Sequence, residues 1–393
     1  MHHFLTGTAR IGLALTLCGA FLLPSAFAQI EPTGTPPDAK GWRTATVVEG
    51  IRNPWGMTWL PDGRLLITGK YGTLHMVENG QLRDIAMDGL PEVFTEGQGG
   101  LLDIALHPNF QQNQRIYLTL STGTKDANRI ILVRGTFNGQ RVSNIETLFR
   151  VQPDKDGDEH FGSRLLWLPD GTMLMTIGDG GNPPRRIGDM LAREQAQNLQ
   201  SHLGKILRLT EDGKPAPDNP FAGKQGVRPE IWVYGVRNIQ GITREPESGR
   251  VWANEHGPRG GDELNLIEGG RNYGWPTQTW GVDYRTGEPF GEKSVEGMPD
   301  PKVVWTPAHA PSGLAYYTGD RFPQWRGSLF SGGLASEDIR RIELDGNGKV
   351  VNQDRLDIGR RVRDVRQGPD GYLYAITDEE NGRLLRIEPD QGS

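Results

Sequence analysis

The feature that most restricts the fold of this 393-residue chain is a unit that recurs six times. A turn carrying Pro, Asp, Asn or Gly is followed by a hydrophobic run of strand length. It reads "LPDGRLLITG" from Leu60, "HPNFQQNQRIYLTL" from His107 and "LPDGTMLMTIGD" from Leu168. It returns as "EPESGRVWANEHG" from Glu245, "YTGDRFPQWRGSLFSGG" from Tyr317 and "GPDGYLYAITDE" from Gly368. The turn glycines and asparagines supply positive φ, and the runs read as strands alternating with period two. Helical periods are scarce, the best being "DMLAREQAQNLQS", Asp189 to Ser201. Copies at wide, uneven intervals suit radial repetition, one per four-stranded blade, better than a sandwich. The expected fold is all-β, a six-bladed β-propeller with long loop insertions; a double β-domain is the alternative.

The first 28 residues are expected to be a signal peptide. A weakly basic start ends at Arg10, an apolar run follows from Ile11 to Leu23, and "AFA" precedes a cut after Ala28. The apolar core is short for a retained anchor and is broken by Pro24. The mature protein would be periplasmic or secreted, a single propeller domain over residues 29–393. Those 365 residues give about 61 per blade against the roughly 40–50 of compact repeats, so insertions are expected over 177–230 and 255–310. The lone cysteine, Cys18, falls inside the leader. The mature chain then has no disulfide and depends on packing or bound ions. Its formal charge of −6 becomes −7 without Arg10, with no run of Lys or Arg, which argues against nucleic acid and anionic membranes as partners. No 18-residue apolar stretch follows the leader, so no membrane insertion is expected.

The segment "VWANEHGPRGGDELNLIEGGRNYGWP", Val251 to Pro276, sets Glu255, Asp262, Glu263 and Glu268 among six glycines and two prolines. It is too irregular for a helix and too elaborate for a simple connection. Its chemistry suits a hard cation, which takes carbonyl and carboxylate oxygens in loose geometry. Loops of a propeller converge on one central mouth, so polar residues beside the repeated strands are site candidates. These are Gln98, His160, Asp179, Arg237, Asn238, Arg361 and Arg363.

The segments "DEHFGSRLLWLPDGTMLMTIGDGG", "VYGVRNIQG", "NEHGPRGGDELNLIEGGRNYGWP" and "APSGLAYYTGDRFPQW" closely resemble the soluble, pyrroloquinoline quinone (PQQ)-dependent aldose sugar dehydrogenases. The soluble glucose dehydrogenases belong to the same group, and the likeness runs from about Trp42 to the C-terminal end. The resemblance implies a six-bladed propeller and a calcium ion held by the carbonyls of Gly257 and Pro258 together with PQQ. It implies a second, structural calcium on Glu263 and the carbonyl of Tyr273. Arg361 and Arg363 would pair with PQQ carboxylates, which suit the planar guanidinium fork. Arg237 and Asn238 would lie near the reactive quinone carbonyl, Tyr284 would be a further cofactor contact, and Gln98 would touch substrate or cofactor. His160 would be the general base, since imidazole titrates near neutrality, with Asp179 orienting it. Glu159 stands where glucose-oxidising relatives have aspartate. One departure is Ala335, near "GGLAS", where many relatives carry a lysine that contacts PQQ: either the cofactor is held more weakly or another cation substitutes.

The expected activity is oxidation of the anomeric hydroxyl of aldoses to lactones, with electrons passed to an acceptor other than oxygen. Two further readings stay open. One is a calcium-dependent lactonase or esterase on the same architecture, which would need neither Arg361 nor Arg363. The other is a carbohydrate- or protein-binding propeller that has lost PQQ.

Overall fold

The structure is a computed structural model that describes residues 1–3 and 31–390. The expected leader rests on residues outside that range, and the fold is that of the unit Glu31–Ser393. It is all-β, as expected. The first strands of the repeating sheet pattern are Pro54–Trp59, Leu101–Leu106, Leu165–Trp167, Ile239–Arg244, Pro311–Tyr316 and Val362–Gln367. Each packs on the next, and Val362–Gln367 packs back on Pro54–Trp59, so these strands form a closed cycle. Four sheets are four-stranded, and one is eight-stranded. The latter is two antiparallel halves joined into one sheet by the parallel pairs Ala86↔Arg141 and Met87↔Val142.

Every copy of the sequence unit supplies a second strand: Leu65–Gly69, Arg115–Gly123, Met173–Ile177, Val251–Glu255, Leu329–Gly333 and Leu373–Thr377. The expected period-two alternation is corrected here. Five of these strands are buried at every position. A strand covered on both faces reads as a continuous apolar run. The core explains the covering, because hydrophobic clusters lie between neighbouring sheets. Leu66, Met76 and Ile104 join with Ile131 in one, and Ile206, Val233, Ile242 and Ala253 in another.

The helix expected over Asp189–Ser201 is only a short 3₁₀ turn, Ala192–Gln197. The cause is local. The Lys205 ammonium donates to the carbonyls of Gln195 (2.8 Å), Ala196 (3.0 Å) and Leu203 (2.7 Å), taking acceptors that a continuing helix would need. The long insertions lie between Ile177 and Lys205 and between Ile267 and Val303.

Two features hold the cycle together. The N-terminal strand Trp42–Ile51 pairs antiparallel with the C-terminal strand Gly382–Pro389, completing the last sheet. Between the first strands, Arg164 lies 3.5 Å from Asp103 and 3.2 Å from Asp364. Arg366 donates to the same two carboxylates at 2.7 and 2.9 Å. Removing one partner of such a buried network leaves an uncompensated charge and is strongly destabilising. Arg164 also donates to the main-chain carbonyls of Arg363 (2.9 Å) and Gln240 (2.6 Å), anchoring two residues of the site above it.

Candidate active site

His160 sits between the strands Arg141–Arg150 and Leu165–Trp167, in a left-handed conformation with φ 52°. A non-glycine residue there costs about 1–3 kcal/mol and persists only where its surroundings impose it. The surroundings are specific. Gly178 is bare where a Cβ would run into the His160 carbonyl, and the His160 N–H donates to Oε1 of Gln98 at 2.9 Å. The ring Nδ1 lies 2.7 Å from Oδ1 of Asp179. That carboxylate also accepts from the Gly181 N–H at 3.0 Å and from the Trp275 indole at 2.7 Å.

Asp179 is 0% exposed and His160 4%. Burial opposes the charge on Asp179, but His160, Arg237 and the Gly181 N–H outweigh it and keep the carboxyl below the usual range. Burial and the Arg237 guanidinium hold His160 below the ordinary imidazole value, against the pull of Asp179. The pair is therefore a carboxylate and a neutral imidazole. An ionised carboxylate only accepts, so the proton is on Nδ1 and Nε2 carries a lone pair. Asn182, which the sequence reading passed over, places its amide nitrogen 3.5 Å from that Nε2 and 3.1 Å from the Glu159 carboxylate.

Arg237 is pinned by three bonds. Its N–H donates to Glu255 at 2.6 Å, and its guanidinium to the His256 carbonyl (2.9 Å) and to Asn182 (2.8 Å). Asn238 accepts from the Gly162 N–H at 3.1 Å. The side-chain nitrogen of Asn238 and the Nε atoms of Arg237 and Arg363 are buried without a hydrogen-bond partner.

Beside this group lies a cavity of about 310 Å³, lined by Gln98, Gln240, Lys70, Arg361, Arg363 and Asp378 among others. The volume is in the range of small-molecule sites. Arg361 precedes its strand and Arg363 lies within it, yet both donate to Oδ2 of Asp378 at 2.9 Å. Burial disfavours the charged Asp378, but Arg363 and Arg361 overcome that and hold its pKa down.

The loop after Val251–Glu255 folds tightly on itself. Gly257 is bare where a Cβ would meet the carbonyls of Gly260 and Gly261. Asp262 closes the turn by accepting from the Gly257 N–H (2.8 Å) and the Ala310 N–H (2.6 Å). Among the described residues, no hydrogen bond is donated to the carbonyls of Gly257, Pro258 or Tyr273, although all three residues are buried. The half-buried Glu263 carboxyl shares the Asn265 amide with Glu255. Burial pushes Glu263 well above its usual pKa and raises Glu255 to about 7 and Asp262 to about 6. Spare carbonyls next to buried acids suit a hard cation. No group of three or more His, Cys, Asp or Glu is gathered as a metal centre among the described residues, and the expected calcium ligands are mostly carbonyls.

Tyr284 is set apart from the arginines. It is 56% exposed and lines a second cavity of about 500 Å³ with Asn182, Pro258, Trp275 and Phe290. Lys70, Asp378, Gln240 and Asn182 were not singled out in the sequence. A positional signal could have found two of them: Lys70 and Asp378 each directly follow a second strand, as His256 and Leu334 do.

The sequence profile of the Glucose / Sorbosone dehydrogenase family matches residues 51–386. The chain is 40% identical over 348 residues to the aldose sugar dehydrogenase YliI of Escherichia coli, covering 86% of this chain and 91% of that protein. The apo crystal structure of the soluble aldose sugar dehydrogenase from E. coli superposes with a TM-score of 0.82 at 39% identity, over 89% of this chain and all of that one. The PQQ-bound aldose sugar dehydrogenase from Streptomyces coelicolor gives 0.72 at 29% identity, over 91% of this chain and 100% of the other. The chain belongs to the glucose/sorbosone dehydrogenase family.

Proposed function

We propose that this protein is a PQQ- and calcium-dependent aldose dehydrogenase that oxidises the anomeric hydroxyl to a lactone. We further propose a periplasmic or secreted six-bladed propeller over residues 29–393, with the leader removed at Ala28. The closed cycle of first strands supports the blade count. No helix among the described residues is long and apolar enough to cross a membrane. The observation that carries the activity is the His160–Asp179 pair, 2.7 Å apart, set beside a cavity with surplus positive charge.

The residues present fit both groups. Arg361 and Arg363 would hold PQQ carboxylates, and the unpartnered nitrogens of Arg237, Asn238 and Arg363 are donors awaiting an acceptor. The free carbonyls of Gly257 and Pro258 would hold calcium, and Glu263 with the Tyr273 carbonyl a second ion. PQQ, when bound, supplies the quinone that takes up hydride. The chain's own part is proton transfer. Nε2 of His160 accepts the hydroxyl proton, and Asp179 holds the ring so that Nε2 remains the acceptor and supports the imidazolium that forms. Gln98 fixes His160 through its main-chain N–H, and Arg237 is a fixed cation suited to an oxygen gaining negative charge. Tyr284 extends the ligand-facing surface around Pro258.

Reconstitution with PQQ and calcium, followed by reduction of a dye acceptor on adding an aldose, tests this. Turnover should require both additions and yield lactone, and chelation before reconstitution should prevent it. Lactone hydrolysis without PQQ, or no PQQ-dependent oxidation of any aldose, would refute the assignment.

A further inference from the structure

The charges around the 310 Å³ cavity do not balance. Lys70, Arg361 and Arg363 face one carboxylate, Asp378, and both guanidiniums already draw on its Oδ2. Lys70 is left with a neutral partner, the Gly97 carbonyl at 2.6 Å. An ammonium offers three hydrogens, so donors remain unused. Among the described residues no carboxylate lies within ion-pair distance of it; Asp378, Arg363 and Asp158 are close enough to act on its titration, and Asp158 already faces Lys125 at 3.8 Å.

The root of this side chain is fixed. The Lys70 N–H donates to the Asn53 carbonyl and its own carbonyl accepts from the Leu101 N–H, both at 2.9 Å. The first ties the end of Leu65–Gly69 to the chain before Pro54–Trp59, and the second ties it to the start of the other half of the eight-stranded sheet. Gly100 is bare where a Cβ would strike the Lys70 carbonyl and Cγ. A long, half-buried lysine clamped at its base and lining a cationic cavity is costly to hold in place unless an anion neutralises it.

We infer that Lys70 is a cofactor-binding residue, the third cation that pairs with a carboxylate of the ligand in this cavity. The inference rests on PQQ being that ligand and deepens that reading. Three cations against one carboxylate leave a surplus of two positive charges, which a tricarboxylate offsets and a neutral sugar does not. Lys70 also answers the departure at Ala335. That position is exposed and carries no charge, and the missing cation comes instead from a different sheet.

The test measures the affinity of the apo-protein for PQQ in the presence of calcium, by quenching of tryptophan fluorescence. No turnover is involved. Lys70→Met should weaken binding about ten- to a hundredfold, the loss of one charge-assisted bond. Lys70→Arg should bind close to wild type, and the melting temperature of each ligand-free variant should be unchanged. If Lys70→Met melts lower, Lys70→Gln takes its place in the comparison. Wild-type affinity in the neutral variants, or an arginine variant as weak as they are, would overturn the inference alone. A wild-type protein with no affinity for PQQ would overturn the proposed function and this inference with it.

Discussion

His160 combines a strained backbone, burial and a fixed tautomer, and each has a measurable consequence. His160→Ala should leave PQQ and calcium bound and lower turnover roughly 10²–10⁴-fold, with cofactor occupancy measured first. Normal turnover with PQQ bound would remove His160 from the mechanism. The pH profile follows from sign. Burial and Arg237 lower the pKa of His160 from 6.5, so the imidazole stays neutral into mild acid. The rate should therefore hold as pH falls through 6.5 and drop only below it. Arg237→Gln removes a charge that depresses this pKa, so in that variant the acid limb should move to higher pH; an unmoved limb would mean another group titrates. His160, Asp179 and Arg237 were legible because each sits in a long, distinctive motif. Lys70 and Asp378 share only their place after a second strand, and nothing in "ITGK" or "AITDE" shows that loops some 300 residues apart line one cavity.

Among the elements, the segment from Glu255 to Pro276, which includes the strand Asp262–Ile267, stood out in the sequence by its acids and glycines, a composition that suits the proposed cation. What stayed hidden was how it reaches the rest of the site: Glu255 and the His256 carbonyl both hold Arg237. Calcium should raise the melting temperature of the apo-protein, since a ligand bound only by the folded state stabilises it, by about 2.7 kcal/mol at a hundredfold excess over Kd. Glu263→Gln should reduce that rise while leaving PQQ-binding residues in place. An equal rise in both proteins would exclude Glu263 as a ligand. The strands were legible as units but not in their facing. Apolar runs such as "MLMTI" were read as alternating, although their position between two sheets leaves no face for polar residues. The helix expected at Asp189 failed for a nearer reason, the Lys205 ammonium a few residues beyond it that takes its carbonyls.

At the scale of the whole molecule, no single cluster is the core; stability is distributed over interfaces between neighbouring sheets, and the cycle is only as secure as its closure. Deleting residues 29–51 removes Trp42–Ile51 and leaves Gly382–Pro389 as an open sheet edge. The truncated protein should melt at lower temperature, with a broader transition, and aggregate in proportion to concentration. A sharp, wild-type transition would show that the last sheet needs only three strands. The terminal pairing has a further consequence, for the timing of folding. The partner of Trp42–Ile51 lies 331 to 347 residues downstream, from Ile51↔Gly382 to Trp42↔Pro389. A nascent chain cannot close its ring until residues 382–389 have been made. If the chain is exported unfolded, as the proposed leader implies, that delay would keep it open for passage.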